Sequence, residues 1–178
     1  LGYYVITSGN RPEELGHRHG DLYEPGDFSD GDAMLEIARR HRVVGVCSCC
    51  NDFSALACAY VAEQLGLPGH DPYEISLTIH HKDRYRSFAQ AHNVATPRAI
   101  GFASPEEALA AAPPFPYPVL VKPVDLTGGK GISRADRVED YPAAVAQAFA
   151  VSRAKRVVVE EFIVGTRHGW SAFLRSGK

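Results

Sequence analysis

Basic charge is not in surplus in this 178-residue chain: Lys and Arg number 19, Asp and Glu 21, and the formal net charge is −2. Proteins that grip nucleic acid or an anionic membrane through charge carry a basic excess. Neither partner is expected here, and any bound phosphate has to be held by local design. No apolar run approaches the roughly 18 residues of a membrane-spanning helix. The opening Leu1-Gly2-Tyr3-Tyr4 lacks the basic and apolar regions of a secretion signal, and it lacks a methionine. We therefore expect a cytoplasmic chain that begins inside a larger protein. Cysteine is scarce, with four residues, Cys47, Cys49, Cys50 and Cys58. Cys47 and Cys50 have two residues between them, but no second pair exists, and His41 and His70 are too scattered to complete a zinc site. Reduced, mostly buried thiols are expected, and no metal site. What the chain does have is 45% hydrophobic residues, enough for a real core.

The order of elements reads as α/β. Tyr3–Thr7 reads as a strand, and Ser8–Asp30, with its glycines and prolines, as a loop. Asp32–His41 carries Met34, Leu35, Ile37 and Ala38 at helical spacing, Val43–Cys47 reads as a strand, and Phe53–Leu65 as a helix stopped by Gly66. Strand, helix, strand, helix implies parallel strands with crossover helices. Leu67-Pro68-Gly69 breaks that pattern. Pro72–His92 reads as helical with an interruption near His80-His81, Asn93 follows its end, and Arg98–Phe102 is a short strand. Ser104-Pro105-Glu106-Glu107 is a helix start with a serine cap. Helix Tyr141–Ser152 and strands Val157–Phe162 and Gly169–Leu174 follow.

The stretch Tyr117–Ser133, YPVLVKPVDLTGGKGIS, is the most informative. A buried strand delivers Lys122, and a loop with Gly128, Gly129, Lys130 and Gly131 follows. It is not a P-loop, because Gly131 stands where Ser or Thr is required, and no G-x-G-x-x-G fingerprint exists. Strand alternation puts Val119, Val121 and Pro123 on one face and Leu120 and Lys122 on the other. A half-buried lysine needs a partner. No acid in the strand serves, and an oligophosphate would. Glycines let backbone N–H groups approach phosphate oxygens, with Lys130 and the Thr127 hydroxyl beside them. The alternative is an edge-strand lysine beside an ordinary turn.

Two further segments bear on that choice. In residues 79–100, Lys82 opens a helix that ends before Val94-Ala95-Thr96-Pro97; in residues 157–174, an apolar strand ends in Glu160-Glu161-Phe162-Ile163. Lysine at a helix start, Thr-Pro, Tyr-Pro-x-x-x-Lys-Pro, a glycine loop and Glu-Glu-Phe-Ile, in that order, resemble the ATP-grasp superfamily of carboxylate–amine ligases, biotin carboxylase and carbamoyl-phosphate synthase. The resemblance implies a Rossmann-like pre-ATP-grasp domain over residues 1–71, with its first strand absent. It implies an α+β first grasp lobe with a glycine-rich lid over 72–163, and the start of a second, largely absent lobe over 164–178.

By the same resemblance, Lys82 and Lys122 reach the ATP phosphates, Thr127, Gly128, Gly129, Lys130 and Gly131 form the lid, and Glu160, Glu161, Phe162 and Ile163 form the hinge that binds adenine. Thr166-Arg167-His168 stands where many relatives carry a ribose-binding glutamate. Arginine accepts no hydrogen bond, so His168 is the candidate there. Mg²⁺ ligands are expected outside this chain, on later strands of the second lobe. The implied reaction is ATP-dependent ligation of an unidentified small carboxylate to an amine or thiol through an acylphosphate. A non-catalytic ATP-binding module and a structural α/β domain remain as alternatives. The 178 residues alone are expected to be inactive.

Overall fold

A computed structural model describes residues 2–48, 50–111, 113, 115–166 and 168–169. Its N-terminal part has a two-stranded parallel sheet, β1 (Ile6–Gly9) and β2 (Leu22–Pro25), with Ile6 opposite Leu22. The first strand thus begins three residues later than expected, and Tyr3 and Tyr4 are exposed. The segment read as loop holds β2 and a 3-10 turn, Leu15–His19. Only two apolar residues mark β2, too few for an alternation signal. Pairing fixes it, and the Tyr23 hydroxyl donates to Gly9 O at 2.7 Å.

Helix α1 (Gly31–His41) begins at Asp30, whose carboxylate accepts from the N–H groups of Asp32 and Ala33. Helix α2 (Asp52–Leu65) begins at Asn51 in the same way and ends at Gly66 with φ 64°. Such caps satisfy amides that a helix start leaves open. Leu35, Ala38 and Val61 form a small core between the two helices. The expected strand Val43–Cys47 is absent. Val43 N–H closes the end of α1 on Ala38 O at 3.1 Å, Val44 is 74% exposed, and Val46 O is taken by the His70 ring at 3.0 Å. A β-branched run becomes a strand only where a neighbour offers a ladder, and no described strand pairs with this one. The thiols also differ from expectation, since Cys47 and Cys50 are exposed.

Helices α3 (Tyr73–His80) and α4 (Lys82–Ala91) meet at His81, an extended residue that ends one and caps the other. Asn93 follows with φ 55°. The C-terminal part is an antiparallel sheet in the order β3 (Ala99–Phe102), β6 (Val157–Glu161), β4 (Val119–Pro123), β5 (Ser133–Ala135). The short polar β5 has no sequence signal; it returns from the glycine loop to pair with β4. Helix α5 (Pro105–Ala111) has the expected Ser104 cap, which accepts from Glu107 N–H at 3.1 Å.

Sheet alternation creates two unlike faces. Val119, Val121, Val157 and Val159 have zero exposure and pack with Ala108 of α5 and with Ala144, Val145 and Ala148 of helix α6 (Tyr141–Val151). Each fully buried valine contributes roughly 1.5–3 kcal/mol. The other face carries Leu120, Lys122, Val158 and Glu160, with α4 beside β3 and β6. No helix among the described residues is long and apolar enough to cross a membrane.

Candidate functional site

The polar face of the sheet and the start of α4 build one site. Lys82 occupies the first position of α4, and its backbone N–H donates to Val124 O at 3.0 Å, which docks the helix on the chain leaving β4. Its ammonium donates to Leu126 O, and to Val124 O at 3.4 Å. Burial, and next the nearby Lys122 charge, lower its pKa. The Lys82 ammonium therefore sits at the base of the glycine loop, close enough to Lys122 to feel its charge.

Lys122 is not without a protein partner, which corrects the sequence-based expectation. Leu120 lies opposite Glu160 and Lys122 opposite Val158, so Glu160 is the diagonal neighbour of Lys122 on the same face. Lys122 Nζ lies 2.5 Å from Glu160 Oε2. The acid comes from the adjacent strand, which a search within β4 alone does not reach. Glu160 is only 1% exposed and is held from a second side by Arg86: Nε lies 2.9 Å from Oε1 and Nη2 3.4 Å from Oε2. Arg86 Nη1 also donates to Thr96 Oγ1 at 3.0 Å. Burial pushes the Glu160 carboxyl up, but hydrogen bonds from Arg86 and Lys122 outweigh it and hold the pKa below its ordinary value. Arg86 was missed in the sequence. Its signal is its position four residues after Lys82, on the same helix face.

The loop divides in two. Thr127, Gly128, Gly129 and Lys130 are exposed, and no side chain or backbone atom stands within 4 Å of a Cβ added at Gly128 or Gly129. Both have positive φ, 65° and 78°. Gly131 differs: its φ is 71°, and an added Cβ would meet Val151 Cγ2 at 2.5 Å. That glycine is required by packing. The loop's start is anchored by buried Asp125, whose carboxylate accepts from Ser152 Oγ at 3.0 Å and from Ala154 N–H at 2.7 Å.

The residues expected to form a hinge separate in their contacts. Glu160 turns into the site. Glu161 points to Arg98, accepting from Nε at 2.7 Å and from its backbone N–H at 2.8 Å. Phe162 N–H donates to Pro118 O at 3.3 Å, and its ring lies beneath the Arg134 guanidinium. Ile163 is 60% exposed. His168 is exposed, with its Nε2 2.7 Å from Thr166 Oγ1. Arg167 and the expected strand beyond Gly169 lie outside the described residues. Among the described residues, no group of three or more His, Cys, Asp or Glu is arranged to hold a metal ion, so no residue here is assigned to Mg²⁺.

A cavity of about 270 Å³ lies elsewhere, lined by Asp30, Phe53, Leu56, Tyr60 and Tyr73 among others. It includes none of the residues just described, and the convergence of charge, rather than enclosed volume, marks the site. Two ammonium groups beside a loop of open backbone can hold a polyanion.

The family model "Carbamoyl-phosphate synthase L chain, ATP binding domain" matches residues 81–175. The formate-dependent phosphoribosylglycinamide formyltransferase of Synechococcus sp. (strain CC9605) is 36% identical over 168 residues, 92% of this chain and 42% of that protein. The chain thus spans less than half the length of that relative. Among solved structures, an L-amino acid ligase from Bacillus licheniformis superposes with a TM-score of 0.68 at 24% identity, over 91% of this chain and 39% of that one. The biotin carboxylase domain of the Hydrogenobacter thermophilus 2-oxoglutarate carboxylase, solved with MgADP, ADP and bicarbonate, gives 0.67 at 20% identity, over 89% and 38%. At these identities both likenesses concern the fold.

Proposed function

The chain belongs to the carbamoyl-phosphate synthase L-chain ATP-binding domain family, within the ATP-grasp superfamily, and from that premise we propose that it is the ATP-binding portion of a carboxylate–amine or carboxylate–thiol ligase. Residues 1–71 act as the pre-domain, 72–163 as the first grasp lobe, and 164–178 open the second. The observation that carries the reading is that Lys82 reaches the chain leaving β4, where the glycine loop begins, beside the Lys122 that β4 itself carries. Lys82 and Lys122 bind phosphate oxygens. Thr127, Gly128, Gly129 and Lys130 cover them, and Gly131 returns the loop to β5. Backbone groups of Glu161 to Ile163 receive the adenine edge, and His168 serves the ribose.

In this reading the chain's residues bind, orient and shield. Charge-assisted contacts from both lysines draw electron density from the phosphoryl oxygens at the moment of transfer. Loop closure excludes water, which would otherwise destroy an acylphosphate. Mg²⁺ would add positive charge to the phosphates; among the described residues no acidic group is arranged to hold it. The exposed Cys47 and Cys50 thiols fit a reducing, cytoplasmic setting.

Thermal unfolding with ATP, with and without Mg²⁺, tests the proposal. A ligand at about 100 times its Kd stabilises by about 2.7 kcal/mol. A rise in Tm with ATP, and a smaller one with adenosine, is the expected result. No shift with either at millimolar concentration would leave a structural α/β domain.

A further inference from the structure

Three charged side chains meet on the polar face of the sheet, and their arithmetic is uneven. Arg86 and Lys122 supply two positive charges, and Glu160 supplies one negative charge, so one positive charge is left over. Glu160 is almost wholly buried, whereas the side chains of Lys122 and Arg86 are 13% and 22% exposed. A carboxylate so placed would cancel the charge of whichever cation it engages. Arg86 engages it through two nitrogens, in the fork geometry that suits a carboxylate, and Thr96 holds the third nitrogen. Lys122 engages it through a single rotatable ammonium.

We infer that Arg86 is a positioning residue that neutralises Glu160, so that the charge of Lys122 remains available to an incoming oligophosphate. Arg86 itself touches no ligand. Without it, the Lys122–Glu160 pair is neutral, and of the two lysines only Lys82 still draws a polyanion. This goes beyond the assignment of Lys82 and Lys122 to phosphate, and it rests on that assignment. It also makes the sign of each substitution predictable. Arg86→Met removes the surplus charge. Arg86→Lys keeps it. Glu160→Gln adds to it, and the double variant Arg86→Met/Glu160→Gln restores it.

The test is calorimetric titration of the full chain with inorganic tripolyphosphate and with adenosine. Arg86→Met should bind tripolyphosphate at least about tenfold more weakly, the order of effect of removing one nearby unit charge. Arg86→Lys should stay near wild type, and Arg86→Met/Glu160→Gln should recover most of the loss. Adenosine binding should not move. A double variant as weak as Arg86→Met, or an Arg86→Met protein that binds tripolyphosphate like wild type, would overturn the inference. A second measurement does not depend on any ligand. Carbon-13 titration of the Glu160 carboxyl should show its midpoint rising by roughly one unit or more in Arg86→Met, the size of an opposite charge removed. An unmoved midpoint refutes the neutralising role even if the wild-type chain binds no phosphate, whereas a raised midpoint in a chain that binds none would count against the nucleotide site alone.

Discussion

Lys122 of β4 and Glu160 of β6 are diagonal neighbours on one face of an antiparallel sheet, with Nζ 2.5 Å from Oε2. The pair ties Lys122 to the strand that leads into Phe162 and Ile163. A ligand that draws Lys122 toward it must compete with that carboxylate, and Arg86 stands ready to keep the carboxylate paired.

Replacing Lys122 or Lys82 by alanine should weaken ATP binding about 10- to 100-fold, since each loses a charge-assisted contact of roughly 1.5–3 kcal/mol. Adenosine binding should be unaffected. Stability should respond unequally. Lys122→Ala leaves Glu160 with Arg86 alone and should cost about 1 kcal/mol. Lys82→Ala uncouples α4 from Leu126 O and should cost about as much. Calorimetric titration and urea unfolding of the same variants check both. Equal losses for ATP and adenosine would mean that the lysines support the fold rather than the phosphates.

Removing Glu160 should be costly for a different reason. Glu160→Leu leaves two partly buried cations facing each other without their shared acceptor, and breaking such a pair costs roughly 3–5 kcal/mol. Urea midpoints should show this as the largest loss among the site variants. A loss smaller than that of Lys122→Ala would place the burden of the network elsewhere.

The same carboxylate should give stability a pH dependence. Its folded pKa is depressed, so its contribution is complete above the unfolded value of about 4.3 and is lost as pH falls through the folded value. The stability gap between wild type and Glu160→Gln should therefore narrow below about pH 4. Urea unfolding across the acid range measures it. A gap that widens on acidification contradicts the ion-pair assignment.

The loop glycines should behave in two classes. Gly131→Ala forces a Cβ into Val151 at a positive φ and should destabilise by about 1–3 kcal/mol. Gly128→Ala and Gly129→Ala meet no neighbour and should cost only about 1 kcal/mol of backbone strain, while weakening ATP more than adenosine. Thermal unfolding beside nucleotide titration separates them. A Gly131→Ala protein as stable as Gly128→Ala would show that the Val151 contact relaxes freely.

Much of this was legible in the residues. The alternation Val119-Leu120-Val121-Lys122 gave the two faces of β4, the Ser104 and Gly66 signals marked helix ends, and the His80-His81 break fell where α3 and α4 divide. Each is a local effect of backbone and cap chemistry. The failures share a cause. The strand of Lys122 holds no acid, and its partner lies on β6, which only the sheet register brings near. Val43–Cys47 has strand chemistry and no ladder, and β2 and β5 have ladders and little strand chemistry. Gly131 reads like its neighbours until the side chain of Val151, twenty residues on, is set against it. Pairing across sequence distance is what a single chain does not print.

The central claim is that Lys82, Lys122 and the glycine loop hold the phosphates of a nucleotide while the hinge holds its base. Amide NMR of the full chain tests it most directly, because it detects weak binding and reports each position separately. Saturating ATP should shift the amides of Gly128, Gly129 and Gly131 together with those of Glu161 to Ile163; tripolyphosphate should shift the first group alone, and adenosine the second alone. ATP that leaves the glycine amides unmoved, or moves only residues around Phe53, Tyr60 and Tyr73, would contradict it.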